Sequence, residues 1–268
     1  MFDPKRRYLV IQPVGGLGNR MAALVSAHEL AIKEDRELWV HWPIQGGKPK
    51  DRFPTSLEDI YRVTGIRQIS TGVWRNALKA PGVFHLSLKN SHLALAPDIS
   101  HDVIVCPLHG RIQGREETDR PAWCRVFWDN YFLQPPLQKA VSEFRSYYSV
   151  GEKTIGLQIR IHGHRLAREW KPEKQFRRWL QLSISHYSSH NFFVSCDDRE
   201  ITAGLRKEFG DCIVSQDKDS ELNTDLALKQ SAIDFHLLAA CKRIYSSRHS
   251  GMSYFACLIR NEQRKYPG

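Results

Sequence analysis

Blocks of apolar and polar residues alternate along the first forty positions. Residues 8–14 are apolar enough for a buried strand, and they end at a glycine-rich turn, residues 15–20. Between residues 21 and 33 the apolar positions recur at helical spacing, and residues 37–42 then predict a second strand. This order predicts the strand, turn and helix that open a parallel α/β unit.

The pattern is less regular over residues 43–148. Residues 43–56 and 109–125 are polar and predict loops, and residues 57–63 predict a short helix. The other elements predicted here are strands at 83–88 and 103–106 and a helix at 135–148. An aromatic cluster at 123–132 is predicted to lie mostly in the core, although one exposed tryptophan could stack on a sugar ring.

The second half alternates strand and helix more clearly. Strands are predicted at 155–161, 191–195, 212–215 and 243–246, and helices at 176–186, 199–209, 225–240 and 252–260. Residues 149–153 form the predicted crossing between two domains. We therefore predict an α/β fold with two Rossmann-like domains, residues 1–150 and 151–268.

Charged residues follow the predicted strand at 155–161, and ligands bind at the carboxyl ends of strands in open α/β sheets. Arg160 could hold a phosphate through two parallel hydrogen bonds, or it could pair with a carboxylate. His162 lies just beyond it and is a second candidate ligand contact. His162 and His164 without a third partner are too few for a metal site, so no metal ligand is predicted.

Polar residues also follow the next strands of this half. Asp197 and Asp198 could accept hydrogen bonds from a base or from ribose hydroxyls, or one of them could cap the following helix. Ser247, Ser250 and Gly251 form a turn at a helix start, where hydroxyls and free N–H groups suit a phosphate. A cation, an acid and a serine turn at neighbouring strand ends suit a nucleoside diphosphate.

The glycine-rich turn after the first strand is a further candidate for anion binding. Gly16 and Gly18 would let the backbone approach a ligand, and Asn19 and Arg20 follow at the helix start. The turn is not a dinucleotide fingerprint, because Met21 stands where the third glycine belongs, and it lacks the Gly-Lys-Ser/Thr of a Walker loop. A purely structural turn stays open as the alternative.

Composition narrows the class of protein. The 268 residues are 41% hydrophobic and 25% charged, as in ordinary globular proteins. No apolar run approaches the roughly 18 residues that span a bilayer, and the N-terminus shows no signal peptide. The six cysteines are scattered, which favours free thiols in a reducing compartment. We therefore expect a cytoplasmic protein, with peripheral membrane contact as an open alternative.

The net charge of +10 predicts an anionic partner. Nucleic acid, lipid headgroups and a phosphorylated small substrate all carry the required charge. The basic residues are spread along the chain and are not interleaved with aromatic residues as in common RNA-binding sequences. Nucleic acid is therefore not expected as a partner.

The motifs and their order resemble the α1,2/α1,6- and protein O-fucosyltransferase superfamily, whose members use GDP-fucose. The similar stretches are the Gly-Gly-x-Gly-Asn-Arg turn at 15–20, the strand that ends at Arg160, Val-Ser-Cys-Asp-Asp at 194–198, Ile-Asp-Phe-His-Leu-Leu at 233–238 and Ser-Ser-Arg-His-Ser at 246–250. Residues 43–145 show no similarity. Gln158 stands where the family has a histidine, and Ile161 stands where it usually has a second basic residue.

The resemblance implies a GT-B-like architecture, in which the parallel sheets of two Rossmann-like domains face a cleft. Residues 151–268 would bind the nucleotide sugar, and residues 1–150 would form the acceptor side. The reaction implied is an inverting transfer of fucose from GDP-fucose to a hydroxyl of a glycan, glycolipid or glycoprotein, without a metal ion or other cofactor. Arg160 would stabilise the leaving β-phosphate, Asp198 would recognise guanine and Ser250 would contact phosphate. The further residues expected to contact the sugar donor are Gly16, Gly18, Asn19, Arg20, His162, Asp197, Asp234, Ser247 and Gly251.

The catalytic base and the exact activity are less tightly specified. Glu169, in the loop after Arg160, is the expected base, while His41, Asp51 and Glu117 stay open on the acceptor side. The activity alternatives are a transferase that uses another nucleotide sugar, a nucleotide-sugar-binding protein without catalysis, and a basic protein that binds nucleic acid or a membrane surface.

Overall fold

The computed structural model describes residues 2–44, 53–85, 102–109, 116–161, 171–218, 224–248, 250–260, 265 and 267. The chain divides into two compact units. The first comprises Met1–Gln45 and Ser56–Leu133, and the second comprises Gly46–Thr55 and Gln134–Gly268.

The first unit is built on a parallel sheet. Its elements are β1 (Tyr8–Val14), α1 (Leu17–Lys33), β2 (Glu37–Val40), β3 (Tyr61–Val63), β4 (Ile66–Gln68), α2 (Thr71–Ala77), β5 (Phe84–His85), β6 (Val103–His109), α3 (Glu116–Asn130) and β7 (Tyr131–Leu133). The main sheet has the order β4-β2-β1-β6-β5, and every neighbouring pair in it is parallel. Strands β3 and β7 form a separate antiparallel ribbon.

The second unit repeats this plan. Its elements are α4 (Pro135–Tyr148), β8 (Thr154–Ile159), α5 (Pro172–Ser183), β9 (Asn191–Cys196), α6 (Arg199–Phe209), a 3-10 turn (Gly210–Cys212), β10 (Ile213–Val214), α7 (Asp225–Ala240), β11 (Arg243–Ser246) and α8 (Gly251–Leu258). The sheet order is β10-β9-β8-β11, all parallel. The chain therefore turns outward from β8 in both directions, so the topological switch point lies between β8 and β11, where open α/β sheets bind ligands.

Strand β8 is the centre of the second unit. All six of its residues are buried, because β9 and β11 flank it and helices cover it. Helix α7 lies very close to it: a Cβ added at Gly156 would stand 3.0 Å from Leu238 Cδ2 and 3.3 Å from Cys241 Sγ. The glycine at this position thus permits a helix–strand contact that a larger residue would push apart.

The predicted α/β class with parallel sheets is confirmed, and the errors lie in the irregular middle of the chain. The helix predicted at 57–63 is wrong, because Tyr61–Val63 is a strand that pairs with Tyr131–Leu133. The loop predicted at 109–125 is wrong over residues 116–125, which belong to α3. Trp123 and Phe127, four residues apart and both buried, show the helical spacing that the polar flanks concealed.

The chain passes from the first unit to the second at Gln134 rather than near residue 150. Helix α4 packs against α7 and so belongs to the second unit, although it precedes the predicted crossing. The expected boundary therefore lies one helix too late.

All six cysteines are free, as the sequence predicted, and four of them are buried. Among the helices in the described part of the chain, none is long and apolar enough to cross a membrane.

Candidate functional site

A cavity of about 590 Å³ lies at the carboxyl ends of β8 and β9 in the second unit. The side chains around it are Gln158, Arg160, Ser195, Cys196, Asp197, Asp198, Arg199, Glu200, Lys218, Ala227, Gln230, Ser231 and Met252. Its volume falls within the range of small-molecule sites, and its place beside the switch point of the sheet is where such ligands bind.

Arg160 follows the last residue of β8 and lines this cavity. Its backbone N–H donates to Ser247 Oγ at 2.9 Å, which ties the end of β8 to the turn after β11. Its Nε is buried and has no hydrogen-bond partner among the described residues, and no carboxylate among them forms an ion pair with its guanidinium. Within the described part of the chain, the carboxylate-paired alternative therefore has no partner to support it.

Asp197 and Asp198 have separate structural tasks. Asp197 Oδ1 accepts the backbone N–H of Ile161 at 2.7 Å and so joins the ends of β8 and β9. Asp198 caps α6, since its Oδ1 accepts the N–H groups of Glu200 at 2.9 Å and Ile201 at 3.3 Å. The capping alternative is confirmed for Asp198, and both acids also line the cavity.

Asp234 lies within α7 and is completely buried. Its carboxylate accepts hydrogen bonds from the Ser195 hydroxyl and the Gln216 amide, and it forms an ion pair with Lys218. These three donors occupy the carboxylate, and Asp234 is absent from the residues that line the cavity. In the structure, the acid expected to contact the sugar donor supports the cavity wall.

Lys218 is, like Arg199, a cation at the cavity that the sequence did not point to. Its Nζ also donates to the Cys196 carbonyl at 3.2 Å, and its side chain is only 17% exposed at the cavity. It follows the two-residue strand β10 and stands in no motif, so only the fold reveals that it reaches Asp234. The Cys196 thiol beside it is buried, which raises its pKa to about 12 and keeps it neutral.

The turn after β11 leads into α8. Ser247 is buried and holds the Arg160 amide, while Ser250 caps α8 by accepting the N–H of Ser253 at 3.4 Å. Gly251 is the first residue of the helix, and Met252 lines the cavity. The turn therefore brings a helix N-terminus to the cavity edge, as anion sites require.

Gln158 lies on β8, two residues before Arg160, and it also lines the cavity. Its side chain is 4% exposed, and its Oε1 is buried with no hydrogen-bond partner among the described residues. The sequence had marked this position only as a departure from a family pattern.

The glycine turn lies in the first unit, where the structure gives its residues contacts of their own. Gly16 is the N-cap of α1, whereas Gly18 and Asn19 lie within its first turn, so the predicted turn at 15–20 is helical from Leu17 onward. Arg20 is completely buried and donates from Nε to Gly15 O at 2.9 Å and from Nη1 to Pro43 O at 2.8 Å. Burial lowers the pKa of Arg20 to about 10. These contacts give Arg20 a structural task, and ligand binding by this turn stays a prediction.

Only some of the candidate bases lie within the described residues. Glu169 and His162 lie outside the described residues, as does Asp51, and Glu117 belongs to α3. His41 is buried, and its ring nitrogens contact Gln12 Nε2 at 3.0 Å and Thr71 Oγ1 at 3.1 Å. Burial, followed by the nearby charge of Arg20, lowers its pKa. Because both ring nitrogens are engaged, His41 is poorly placed to take a proton from an acceptor.

Among the described residues, no cluster of three or more His, Cys, Asp or Glu side chains could hold a metal ion. The charges at the cavity come instead from Arg160, Arg199 and Lys218, set against Asp197, Asp198 and Glu200.

Comparison with solved structures identifies the fold. NodZ α-1,6-fucosyltransferase from Bradyrhizobium, soaked with GDP-fucose, superposes with a TM-score of 0.66 over 95% of this chain and 93% of its own, at 17% sequence identity. The chain has the fold of this fucosyltransferase. POFUT1 in its apo form superposes with a TM-score of 0.60 at 11% identity, over 100% of this chain and 99% of that one.

A third fucosyltransferase-fold structure agrees. A point mutant of Arabidopsis thaliana FUT1 in complex with GDP superposes with a TM-score of 0.63 at 12% identity, over 98% of this chain and 70% of that one. Neither protein-family models nor curated proteins gave a sequence match. The fucosyltransferase fold predicted from the motifs is therefore confirmed by structure at very low sequence identity.

Proposed function

We propose that the protein is an inverting glycosyltransferase that moves fucose from GDP-fucose to a hydroxyl of a glycan, glycolipid or glycoprotein. The observation that carries this proposal is Arg160. Its guanidinium lines the cavity at the end of β8, and its Nε is buried without a partner among the described residues. The solved structures with this fold include NodZ α-1,6-fucosyltransferase soaked with GDP-fucose and POFUT1 in complex with GDP-fucose.

In the proposed reaction the acceptor hydroxyl attacks the anomeric carbon of fucose. The bond between that carbon and the β-phosphate oxygen breaks, its electron pair leaves with GDP, and the hydroxyl proton passes to a base, for which Glu169 is the candidate. Arg160 would neutralise the charge that builds on the β-phosphate. A preorganised donor of this kind contributes roughly 3 to 4 kcal/mol to transition-state stabilisation.

Other residues in and beside the cavity are proposed to bind the nucleotide or to hold the cavity in shape. Ser250 and Gly251 would offer hydroxyl and N–H groups to the phosphates at the start of α8, and Asp198 would face the base or ribose while capping α6. Asp197, Asp234 and Ser247 would act indirectly, because each already holds a backbone or side-chain group that shapes the cavity.

The residues of the glycine turn, and His162, are kept as further candidates for the sugar donor. We also propose that no metal ion takes part. A reducing, cytoplasmic setting is supported by the six free cysteines. Fractionation of native cells that placed the protein outside the cytoplasm would contradict this location.

Calorimetry tests the binding half of the proposal. Titrations with GDP, GDP-fucose, UDP and a DNA duplex should show micromolar binding of GDP and GDP-fucose that Arg160→Ala abolishes or weakens at least tenfold. Arg160→Lys keeps the charge and should retain part of the affinity, because an ammonium cannot make the paired hydrogen bonds of a guanidinium.

Other results would favour the other candidates. Salt-sensitive binding of DNA without binding of GDP would contradict the proposal, since counterion release marks nucleic-acid binding. GDP-fucose that binds but is neither hydrolysed nor transferred would favour a nucleotide-sugar-binding protein without catalysis, the alternative suggested by Gln158.

A further inference from the structure

We propose that Gln158 is a specificity-determining residue of the cavity, and that its amide hydrogen-bonds a neutral edge of the ligand beside the phosphates. The ligand group would carry a hydrogen-bond donor and an acceptor side by side, as a nucleobase amide edge or a sugar hydroxyl does. The inference rests on the proposed function, which supplies a nucleotide sugar as the ligand.

The first observation is a buried side-chain oxygen that has no hydrogen-bond partner among the described residues. Gln158 is 4% exposed and lines the cavity, and its Oε1 has no partner among the described residues. Whichever way the amide is turned, one of its polar atoms occupies this buried position. A buried polar atom without a partner costs free energy, so such an atom in a cavity wall marks a place for a ligand group.

The side chains in register on the neighbouring strands do not supply the missing hydrogen bond. Gln158 is in register with Ser195 on β9 and with Ser246 on β11. The Ser195 hydroxyl donates to Asp234, and the Ser246 hydroxyl donates to the Lys265 carbonyl at 3.5 Å. The Gln158 carbonyl on the main chain accepts the N–H of Ser247 at 2.9 Å, which fixes the backbone below the side chain. The partner of the amide must therefore come from the cavity.

The charged residues at the cavity suit other ligand groups than the neutral Gln158 does. Arg160, two residues after Gln158, carries a guanidinium that suits a phosphate. Asp234 cannot read a neutral edge, because Lys218, Ser195 and Gln216 already occupy its carboxylate. The side-chain amide of Gln158, with an NH2 group as donor and a carbonyl oxygen as acceptor, is thus the neutral recognition group nearest to Arg160 along β8.

Calorimetry of Gln158→Met tests the inference, because methionine keeps the length of the side chain and removes both polar amide atoms. Wild type and variant would each be titrated with GDP-fucose, GDP and inorganic pyrophosphate. We expect the variant to bind GDP-fucose about tenfold more weakly, as for the loss of one buried hydrogen bond, and to bind pyrophosphate as wild type does. Weaker binding of GDP as well assigns the contact to the nucleoside, whereas weaker binding of GDP-fucose alone assigns it to the sugar.

Two controls separate recognition from folding. Gln181→Met removes an exposed amide on α5 that donates to Glu208, and it should leave all three affinities unchanged. The melting temperature of Gln158→Met should not fall, because its Oε1 makes no hydrogen bond within the described protein.

The inference is overturned if the variant binds all three probes as wild type does, or loses pyrophosphate as strongly as GDP-fucose. Those results leave the proposed function standing. Wild-type protein that binds none of the three probes would contradict the proposed function itself, and the inference with it.

Discussion

Lys218 and Asp234 form an ion pair beneath the cavity wall. Asp234 is completely buried and the Lys218 side chain is 17% exposed, so the pair has lost most of its hydration. Its stability depends on the neighbouring donors, Ser195 and Gln216, which satisfy the rest of the carboxylate. An arrangement of this kind is costly to break from one side, because the remaining charge stays buried without a partner.

Lys218→Met is therefore expected to destabilise the second unit by about 3 to 5 kcal/mol, the cost of stranding a buried carboxylate. The double variant Lys218→Met with Asp234→Leu should recover most of this loss, because both charges are then absent. Urea unfolding followed by circular dichroism measures the two effects. Equal losses for the single and double variants would show that the pair contributes nothing beyond packing.

Residues that directly follow a strand could be predicted from the sequence, whereas residues that reach the cavity from other elements could not. Arg160, Asp197 and Asp198 follow buried strands, and the rule that ligands bind at strand ends was enough to find them. Lys218 has no such signal, because its role depends on how α7 packs over the sheet. Asp234 was matched through the family pattern, and its burial beneath the wall is visible only in the fold.

Among the elements, β8 is the one whose surroundings constrain it most. A Cβ at Gly156 would approach the Leu238 side chain to 3.0 Å and Cys241 Sγ to 3.3 Å, so α7 would have to shift to make room. Because α7 also carries Asp234, such a shift would reach the wall of the cavity.

Gly156→Ala is expected to lower the free energy of unfolding by about 1 to 3 kcal/mol through overpacking. Gly204→Ala is the matched control, since Gly204 lies in the middle of α6 and its added Cβ would meet only Arg177 Nη2, at 3.6 Å. The control should stabilise the protein by about 0.5 to 1 kcal/mol, as alanine does within helices. A shift of the urea midpoint in the same direction for both variants would contradict the close packing of α7 against β8.

The elements that sequence reasoning found are those whose pattern is complete within a few residues. Strand β8 is buried along its whole length, and helices α6 and α7 begin at the capping residues Asp198 and Thr224. Strand β3 exists because it pairs with β7, about seventy residues later, and no local pattern records that partner. Helix α3 was concealed by its polar first half and by Pro121.

For the whole molecule, both units contain a histidine in the described residues whose ring is buried by surrounding side chains: His28 in the first and His236 in the second. Burial lowers the pKa of both His28 in the first unit and His236 in the second to about 4. In the unfolded chain these rings take up a proton near pH 6.5, whereas in the folded protein they do so only near pH 4. The unfolded state thus binds more protons between these values, so stability falls as the pH decreases from about 6.5 to 4.

Each histidine is expected to contribute about 1 to 3 kcal/mol to this loss. Urea unfolding at pH 7 and pH 5 would measure it, and His28→Gln and His236→Gln should each reduce the difference between the two pH values. His186→Gln, at an exposed position, serves as the control. A pH dependence that stays the same in both buried variants would contradict the assignment.

The most direct test of the central claim is the rate of GDP release from GDP-fucose. Wild-type protein should release GDP, slowly by hydrolysis and faster with a suitable acceptor glycan. Arg160→Ala should lower that rate by about 100- to 1,000-fold, the effect of removing one preorganised donor from a developing oxyanion. Equal release by wild type and Arg160→Ala, or no release by wild type with any acceptor, would contradict the account.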